Sequence, residues 1–533
     1  MKKSLALVLS LMLCVLSVAS ALAAPAQELV FALNNEPDGI DPGITNNSFA
    51  SPFLANLFEG LVTYDTASGS LIGGNAESWE ISEDGLTYTF KLRDGLKWSD
   101  GSPLTADDYV YAFKRILKPE TAAKYVNMVT DCIAGAEELY AGTGSEEALG
   151  VVAVDAQTLV LTLKVPTPYF INILTMWTFS PIQAATVEAN GDRWTVNADT
   201  YICNGPFKIA EINMGESVVL VKNPEYYDAD SVKLEKITFR YILDMATALM
   251  AFETGEIDGS RKIPASDHMR LKAEDAGVVE VPAYGTTFYN FNCAKAPFDN
   301  VLVRKAFSLA IDRNAIIEDV VQAPGEPAYS VVAPGYVVNG VDFTEGRSTF
   351  ELSPTADVEA AQAALAEAGY PGGEGFPTVN LSYYSDDTAK KVAEAMAEML
   401  MTNLNINIEI TNADWAIYYE DVLAGNFEFC AMGWGADYLH PMTFLPLAKT
   451  GDVNNLGFYS NAEYDALVAQ AQAETDEDTA LAIMQQADAI ASAEYAMLTL
   501  YHRTNVVLMK DKVTGYYLNP SDNLYLKTAE IME

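Results

Sequence analysis

Histidine is almost missing from this chain: three residues in 533, His268, His440 and His502, each far from the others. The spacings that much hydrolytic and phosphate chemistry needs are missing too, for there is no H-E-x-x-H, no G-x-S-x-G and no P-loop. An isolated histidine reads as a packed or surface residue before it reads as a ligand. No catalytic residue, no metal site and no cofactor are therefore expected. Basic residues are scarce as well. Lys and Arg total 32 against 73 Asp and Glu, a formal charge of −41. A nucleic-acid partner is excluded, because phosphate binding needs a basic surface. The acidic excess otherwise reads as solubility. Cysteine occurs five times with no C-x-x-C, so spacing leaves any pairing open.

Long apolar runs are absent beyond the N-terminus. There, Lys2 and Lys3 precede an apolar stretch from Leu5 to Ala19, and Ala21-Leu22-Ala23 supplies small residues for cleavage. Residues 1–23 read as an export signal, and without its two lysines the charge becomes −43. Cys14 follows Leu13, bulky where lipid attachment favours a small residue, which argues against an anchor there. The remainder offers no run of about 18 apolar residues. Export permits disulfides among Cys132, Cys203, Cys293 and Cys430 without requiring them.

What is present is an irregular alternation of short strands and helices, an α/β pattern. Thr87–Trp98 reads as a strand ending in an Asp94-Gly95 turn, and Thr105-x-x-Asp108 as a capping box opening a helix with Val110, Phe113 and Leu117 on its apolar stripe. Asp299 or Asn300 starts a helix over Val301–Ile317, and Asp387–Leu404 and Asp476–Ile490 are alanine-rich helices followed by the β-rich runs Ile406–Ile410 and Ala496–Tyr501. No repeat period and no long flexible tether appears.

One short stretch stands apart. In GWGADYLHPMTFL, residues 433–445, Asp437 is the single acid among apolar and small neighbours, just after the strand-like NFEFCAM. By itself it reads as a turn or cap residue. Aromatic clusters at Tyr284, Phe288 and Tyr289, at Trp415, Tyr418 and Tyr419, and at Trp434 and Tyr438 fall outside helical stripes. They read as core on composition, or as the walls of a cleft.

Taken together, AESWEISEDGLTYTFKLRDGLKWSDGSPLTADDYVYAFKR (76–115), YICNGPFKIAEI (201–212), APFDNVLVRKAFSLAIDRNAII (296–317) and GWGADYLHPMTFL resemble the oligopeptide- and dipeptide-binding proteins of bacterial ABC importers, the extracellular solute-binding proteins of family 5. The resemblance implies a two-lobed α/β periplasmic-binding-protein-like fold of the class II type, with an inserted subdomain and a hinge of two chain crossings near Gly285 and Tyr501. It implies lobe I at 24–48, 181–284 and 502–533, an insertion at 49–180 and lobe II at 285–501. The implied partners are a peptide ligand and a membrane permease, with the protein a monomer outside the cytoplasm, in the periplasm or at the cell surface.

In that family an aspartate in a W-x-A-D-Y context holds the ligand's α-ammonium group, which assigns the role to Asp437. Gly433 and Gly435 then let a peptide backbone approach, Trp415 and Trp434 form walls beside Tyr438, and Glu36, Asn204 and Asn290 fall at pocket-lining positions. The chain also departs from the pattern. Ala431 replaces an arginine that meets a short peptide's carboxylate, and Ala389 and Val321, or a neighbour of Val321, replace the partners of longer ones. Gly285 and Gly435 occupy the positions of a disulfide, for which a Cys293–Cys430 bridge is a substitute reading. A non-peptide ligand in the same fold, such as a nickel chelate, an oligosaccharide or a small amine, is an alternative. Carboxylates are too abundant for a pair to identify a glycosidase, so a secreted hydrolase is the alternative of another class.

Overall fold

The computed structural model describes residues 25–338 and 340–532. The export signal with Cys14 lies outside the described residues.

An 11-stranded mixed sheet runs through the molecule. Its strands are β1 (Glu28–Leu33), β2 (Phe207–Asn213), β3 (Ser217–Lys222), β4 (Lys236–Tyr241), β5 (Gly259–Ser260), β6 (Val278–Phe291), β7 (Gly325–Pro327), β8 (Val379–Tyr384), β9 (Ile408–Ala413), β10 (Phe429–Gly435) and β11 (Met497–Met509). The spatial order is β9-β8-β10-β6-β11-β5-β1-β4-β3-β2, with β7 also on β11. The two longest strands, β6 and β11, lie side by side at its centre. They pair antiparallel from Val278 opposite Leu508 to Asn290 opposite Met497, and the register breaks between Pro282 and Thr286 and again after Thr287. A 4-stranded sheet containing Thr87–Leu92 stands apart from the main one.

The cores divide on either side of this central pair. One gathers Leu29, Phe31 and Phe239 with Trp98, Tyr109 and Phe113 and with Leu526. A second stacks Phe291, Phe298, Phe307 and Phe429, and a third surrounds Tyr284, Phe444 and Met484. Burying rings of this size supplies about 1.5–3 kcal/mol each, so each side has its own source of stability.

Local signals explain most of the elements. Helix α1 (Ala106–Ile116) opens on the capping box, with the Thr105 amide donating to Asp108 Oδ2 at 2.8 Å. Helix α2 (Val301–Leu309) is capped by Asn300 and stops short of the expected Ile317. The reason is Asp312, whose carboxylate accepts from the Ala315 amide at 2.9 Å and so starts a separate turn. Buried Arg313 then donates to the carbonyls of Ala328 and Thr499. Helix α3 (Asp387–Leu404) has the expected bounds, with Asp386 as its cap. Helix α4 (Trp415–Leu423) precedes β10, and α5 (Glu477–Ala493) runs one turn past Ile490. Strand β11 extends well beyond the expected Tyr501, because it has partners on both edges.

All four cysteines of the described residues are free, which corrects the Cys293–Cys430 reading. Cys430 lies opposite Asn290 in the β6–β10 ladder. Cys293 is three residues further on, about 10 Å along an extended chain and out of bonding reach. Gly285 and Gly435 do face each other across the same ladder.

Candidate functional site

A cavity of about 550 Å³ opens between the central strands of the main sheet and side chains from residues 49–180. Tyr125 and Trp177 reach it from residues 49–180, Arg261 and His268 from beyond β5, Tyr284 and Gly285 from β6, Gly435 and Asp437 from the end of β10, and Arg503 from β11. Gly285, Gly435, Asp437 and Arg503 come from strand ends or breaks in register, whereas Tyr125, Trp177 and His268 come from short helical segments.

Asp437 sits two residues past β10. Its Oδ1 accepts from the Tyr125 hydroxyl at 3.0 Å, and its amide donates to Thr443 Oγ1 at 3.4 Å. The cap of the following turn is His440, whose Nδ1 accepts from the Met442 amide, so Asp437 is left facing the cavity. Burial pushes its carboxyl up to about 6, against which the Tyr125 hydrogen bond works. Among the described residues no cation pairs with it. A carboxylate in such surroundings gains most from an ammonium group, which supplies both charge and donors.

Gly435 is beside it, and an added Cβ there would meet nothing within 4 Å. One edge of β10 is also open. Strand β6 pairs with β10 from Phe429 to Gly435, whereas β8 pairs only with Phe429 and Cys430. Backbone groups beyond Cys430 on that edge are therefore offered to an added strand, apart from the Ala431 carbonyl, which accepts from the Tyr418 hydroxyl at 2.5 Å.

The sequence candidates divide around this site. Asp437 and Gly435 line the cavity, and Tyr438 adjoins a smaller recess it shares with Asp437, where its ring stacks on Tyr169 at 5.9 Å. Gly433 lies on the same face of β10 as Gly435 by the period of two. That period turns Trp434 to the other face, where its indole donates to Thr443 Oγ1 at 3.1 Å and its ring packs on the third core. Trp415 is 51% exposed on α4, stacked on Tyr419 and away from the cavity. Glu36 is exposed and accepts from the Gly215 amide. Asn204 is a buried strut that joins the Glu59 amide and carbonyl, and Asn290 is buried within β6. Neither asparagine lines the cavity, and strand parity turns Trp434 away from the face that Gly435 shares.

The histidines do not converge. His440 stacks on Tyr169 at 4.6 Å, His502 Nδ1 meets Thr286 Oγ1 at 2.8 Å, and burial pushes both down to about 3, so they stay neutral. His268 pairs with Glu280.

Several cavity residues went unread in the sequence. Tyr125 lies in a segment with no distinguishing pattern. Arg261 is tied to Asp522 in a salt bridge at 2.5 Å. Arg503 did carry a signal: it is the lone charge in YAMLTLYHRTNVVLM, residues 495–509, as Asp437 is in its own stretch. Partial withdrawal from water lowers its guanidinium from the ordinary arginine value, although the side chain keeps an exposed surface.

A family model described as "Bacterial extracellular solute-binding proteins, family 5 Middle" matches residues 70–455. The oligopeptide-binding protein OppA of Bacillus subtilis (strain 168) is 34% identical over 93% of this chain and 91% of its own length. Among solved structures, the periplasmic murein tripeptide-binding protein MppA in its unliganded open form superposes with a TM-score of 0.81 at 32% identity, over 95% of this chain and 98% of that one. OppA of Haemophilus influenzae, in complex with RPPGFSPFR, gives a TM-score of 0.77 at 31% identity, over 96% and 100%.

Proposed function

The chain belongs to the bacterial extracellular solute-binding proteins of family 5, and from that premise we propose that it captures peptides in the cavity beside Asp437 and hands them to the permease of an ABC importer. The work is binding, with no chemistry done on the ligand. The observation that carries the peptide reading is Asp437 itself, an enclosed carboxylate without a cation, at the end of a glycine-bearing strand with an open edge. Asp437 takes the α-ammonium group. The backbone at Gly433 and Gly435 takes main-chain N–H and C=O groups, which every peptide shares. Tyr438 holds the turn that presents Asp437. Trp415 and Glu36 have the exposed surface to meet a ligand when the lobes shut, and Trp434, Asn204 and Asn290 support the site from behind.

The lobes in this proposal are 24–48 with 181–284 and 502–533, bearing the insertion at 49–180, and 285–501. The division of the cores and the broken register at Pro282–Thr286 support a hinge there. Ligand stabilises the closed form, which docks on the permease. The protein acts as a monomer outside the cytoplasm, exported by residues 1–23.

Denaturing the purified protein and identifying released small molecules by mass spectrometry tests the reading. Peptides with free N-termini are expected. Recovery of only a sugar, a metal chelate or a non-peptide amine would reject it.

A further inference from the structure

Arg503 shares the cavity with Asp437 and, among the described residues, has no acidic partner. Its one hydrogen bond among the described residues runs from Nη2 to the Thr286 carbonyl at 3.2 Å. A guanidinium carries five donors, so most of its capacity is unused. Its reach can be read from the glycines below it. A Cβ on Gly285 would lie 3.7 Å from Nε, and one on Gly433 would lie 2.8 Å from Nη2. The side chain thus leaves β11, crosses β6 at Gly285 and ends over Gly433 of β10. Gly433 makes room for it, while a side chain at Gly285 would meet it only at ordinary contact distance, and the face it covers is the one Gly435 shares.

The charge balance here is the reverse of the whole chain's. Against a formal charge of −41, the cavity gathers Arg261, Lys262 and Arg503 with Asp437 and Asp522. Arg261 and Asp522 satisfy each other, which leaves Asp437 facing two cations that do not touch it. A ligand that answers both signs must be zwitterionic. Gly433 to Asp437 is four residues, at most about 13 Å at the rise of a strand, and side chains reaching inward shorten the gap to about 10 Å. An extended peptide spans about 3.3–3.6 Å per residue, so two or three residues fill that gap.

The geometry points to Arg503 as the residue that binds a ligand carboxylate held two or three residues from the ammonium group at Asp437. This rests on the peptide reading above and names its substrate class: short peptides through their C-terminus, or longer ones through an acidic side chain at that spacing. The fork of a guanidinium matches a carboxylate with two parallel hydrogen bonds.

Calorimetry with trialanine, trialanine amide, N-acetyltrialanine, Ala-Ala-Glu amide and hexaalanine tests it, on the wild type, Arg503→Gln and Arg503→Lys. The wild type should bind trialanine at least 10-fold more tightly than its amide, as loss of a charge-assisted hydrogen bond implies. Arg503→Gln should close that gap, and Arg503→Lys should restore part of it. Recovery of affinity with Ala-Ala-Glu amide assigns Arg503 to side-chain carboxylates as well, and no recovery assigns it to the C-terminus alone. Equal binding of trialanine and its amide by a wild type that still rejects N-acetyltrialanine overturns the role of Arg503 and leaves the peptide reading standing. A gap that persists in Arg503→Gln, or binding of hexaalanine without trialanine, overturns it too. If none of the five binds, the peptide reading fails and takes this inference with it.

Discussion

The hydroxyl of Tyr125 donates to the carboxylate of Asp437 at 3.0 Å, joining residues 312 positions apart. The bond crosses from residues 49–180 to the turn after β10. Close by, Asn172 donates to the Leu439 carbonyl at 3.0 Å and Tyr169 stacks between Tyr438 and His440. These contacts hold the turn that presents Asp437. They do not neutralise it, since a phenol offers a hydrogen bond and no charge. In the proposed function a cationic ligand supplies the charge that the phenol does not.

Binding should follow the titration of that carboxylate. With its carboxyl raised to about 6 by burial, the ligand-free site holds a proton at lower pH, and an ammonium ligand must displace it. Affinity for a free-amine peptide should fall about tenfold per pH unit below about 6. It should be flat near 7 and fall again as the peptide's own amine, ordinarily near 7.7–8.0, loses its proton. Calorimetry from pH 5 to 9 measures the profile, and a flat curve between 5 and 7 would argue against an ionised Asp437 in the complex.

Asp437→Asn separates stability from binding. The wild-type carboxyl titrates at about 6 in the folded protein against 3.8 ordinarily. Its contribution to stability is therefore fully present below about 3.8 and lost as pH rises through about 6. The ligand-free variant should match the wild type at pH 4 and exceed it by about 2 kcal/mol at pH 7.5, while losing affinity for free-amine peptides. Thermal unfolding at both pH values shows the crossover, and a variant less stable than the wild type at pH 7.5 would contradict it.

Gly435→Val fills the floor of the site without disturbing the strand beneath. No atom lies within 4 Å of a Cβ there, and valine favours strands. Stability should stay within about 0.5 kcal/mol. Peptide affinity should drop at least 10-fold, because the branched side chain stands where a ligand backbone approaches. Urea unfolding and calorimetry on the same preparation distinguish the two effects.

Asn204→Ala should show the opposite pattern. Its side chain accepts from the Glu59 amide at 3.2 Å and donates to the Glu59 carbonyl at 2.8 Å, both buried. Leaving those groups unpaired costs about 1–3 kcal/mol of stability. The dissociation constant for peptide should be unchanged, and a large loss of affinity would place Asn204 at the ligand after all.

How far the sequence could be read depended on whether a signal was local. The capping box at Thr105 and Asp108 and the helix Asp387–Leu404 were legible because their causes lie within a few residues. Asp312 was legible in principle too, yet the apolar periodicity from Val301 to Ile317 runs straight across it, and the cap prevailed over the stripe. Asp437 stands out as a lone acid in an uncharged stretch, yet that pattern alone reads as a turn or cap, and its assignment to the ligand came from the family resemblance. Arg503 carries the same kind of local signal, a lone charge in an apolar run, without a resemblance to give it a role. Trp434 lies one step of strand parity away from the face that Gly433 and Gly435 share. Asn204, Asn290 and Tyr125 depend on contacts over 145 residues or more, or on burial in a long central strand, which no window of sequence contains.

In the proposed function the ligand's ammonium group meets Asp437. The most direct measurement is the affinity of the wild-type protein at pH 7 for one co-purified peptide and for the same peptide acetylated at its N-terminus. Blocking the amine should cost about 2–5 kcal/mol, a loss of 30-fold or more. Equal affinity for the two forms would contradict the account.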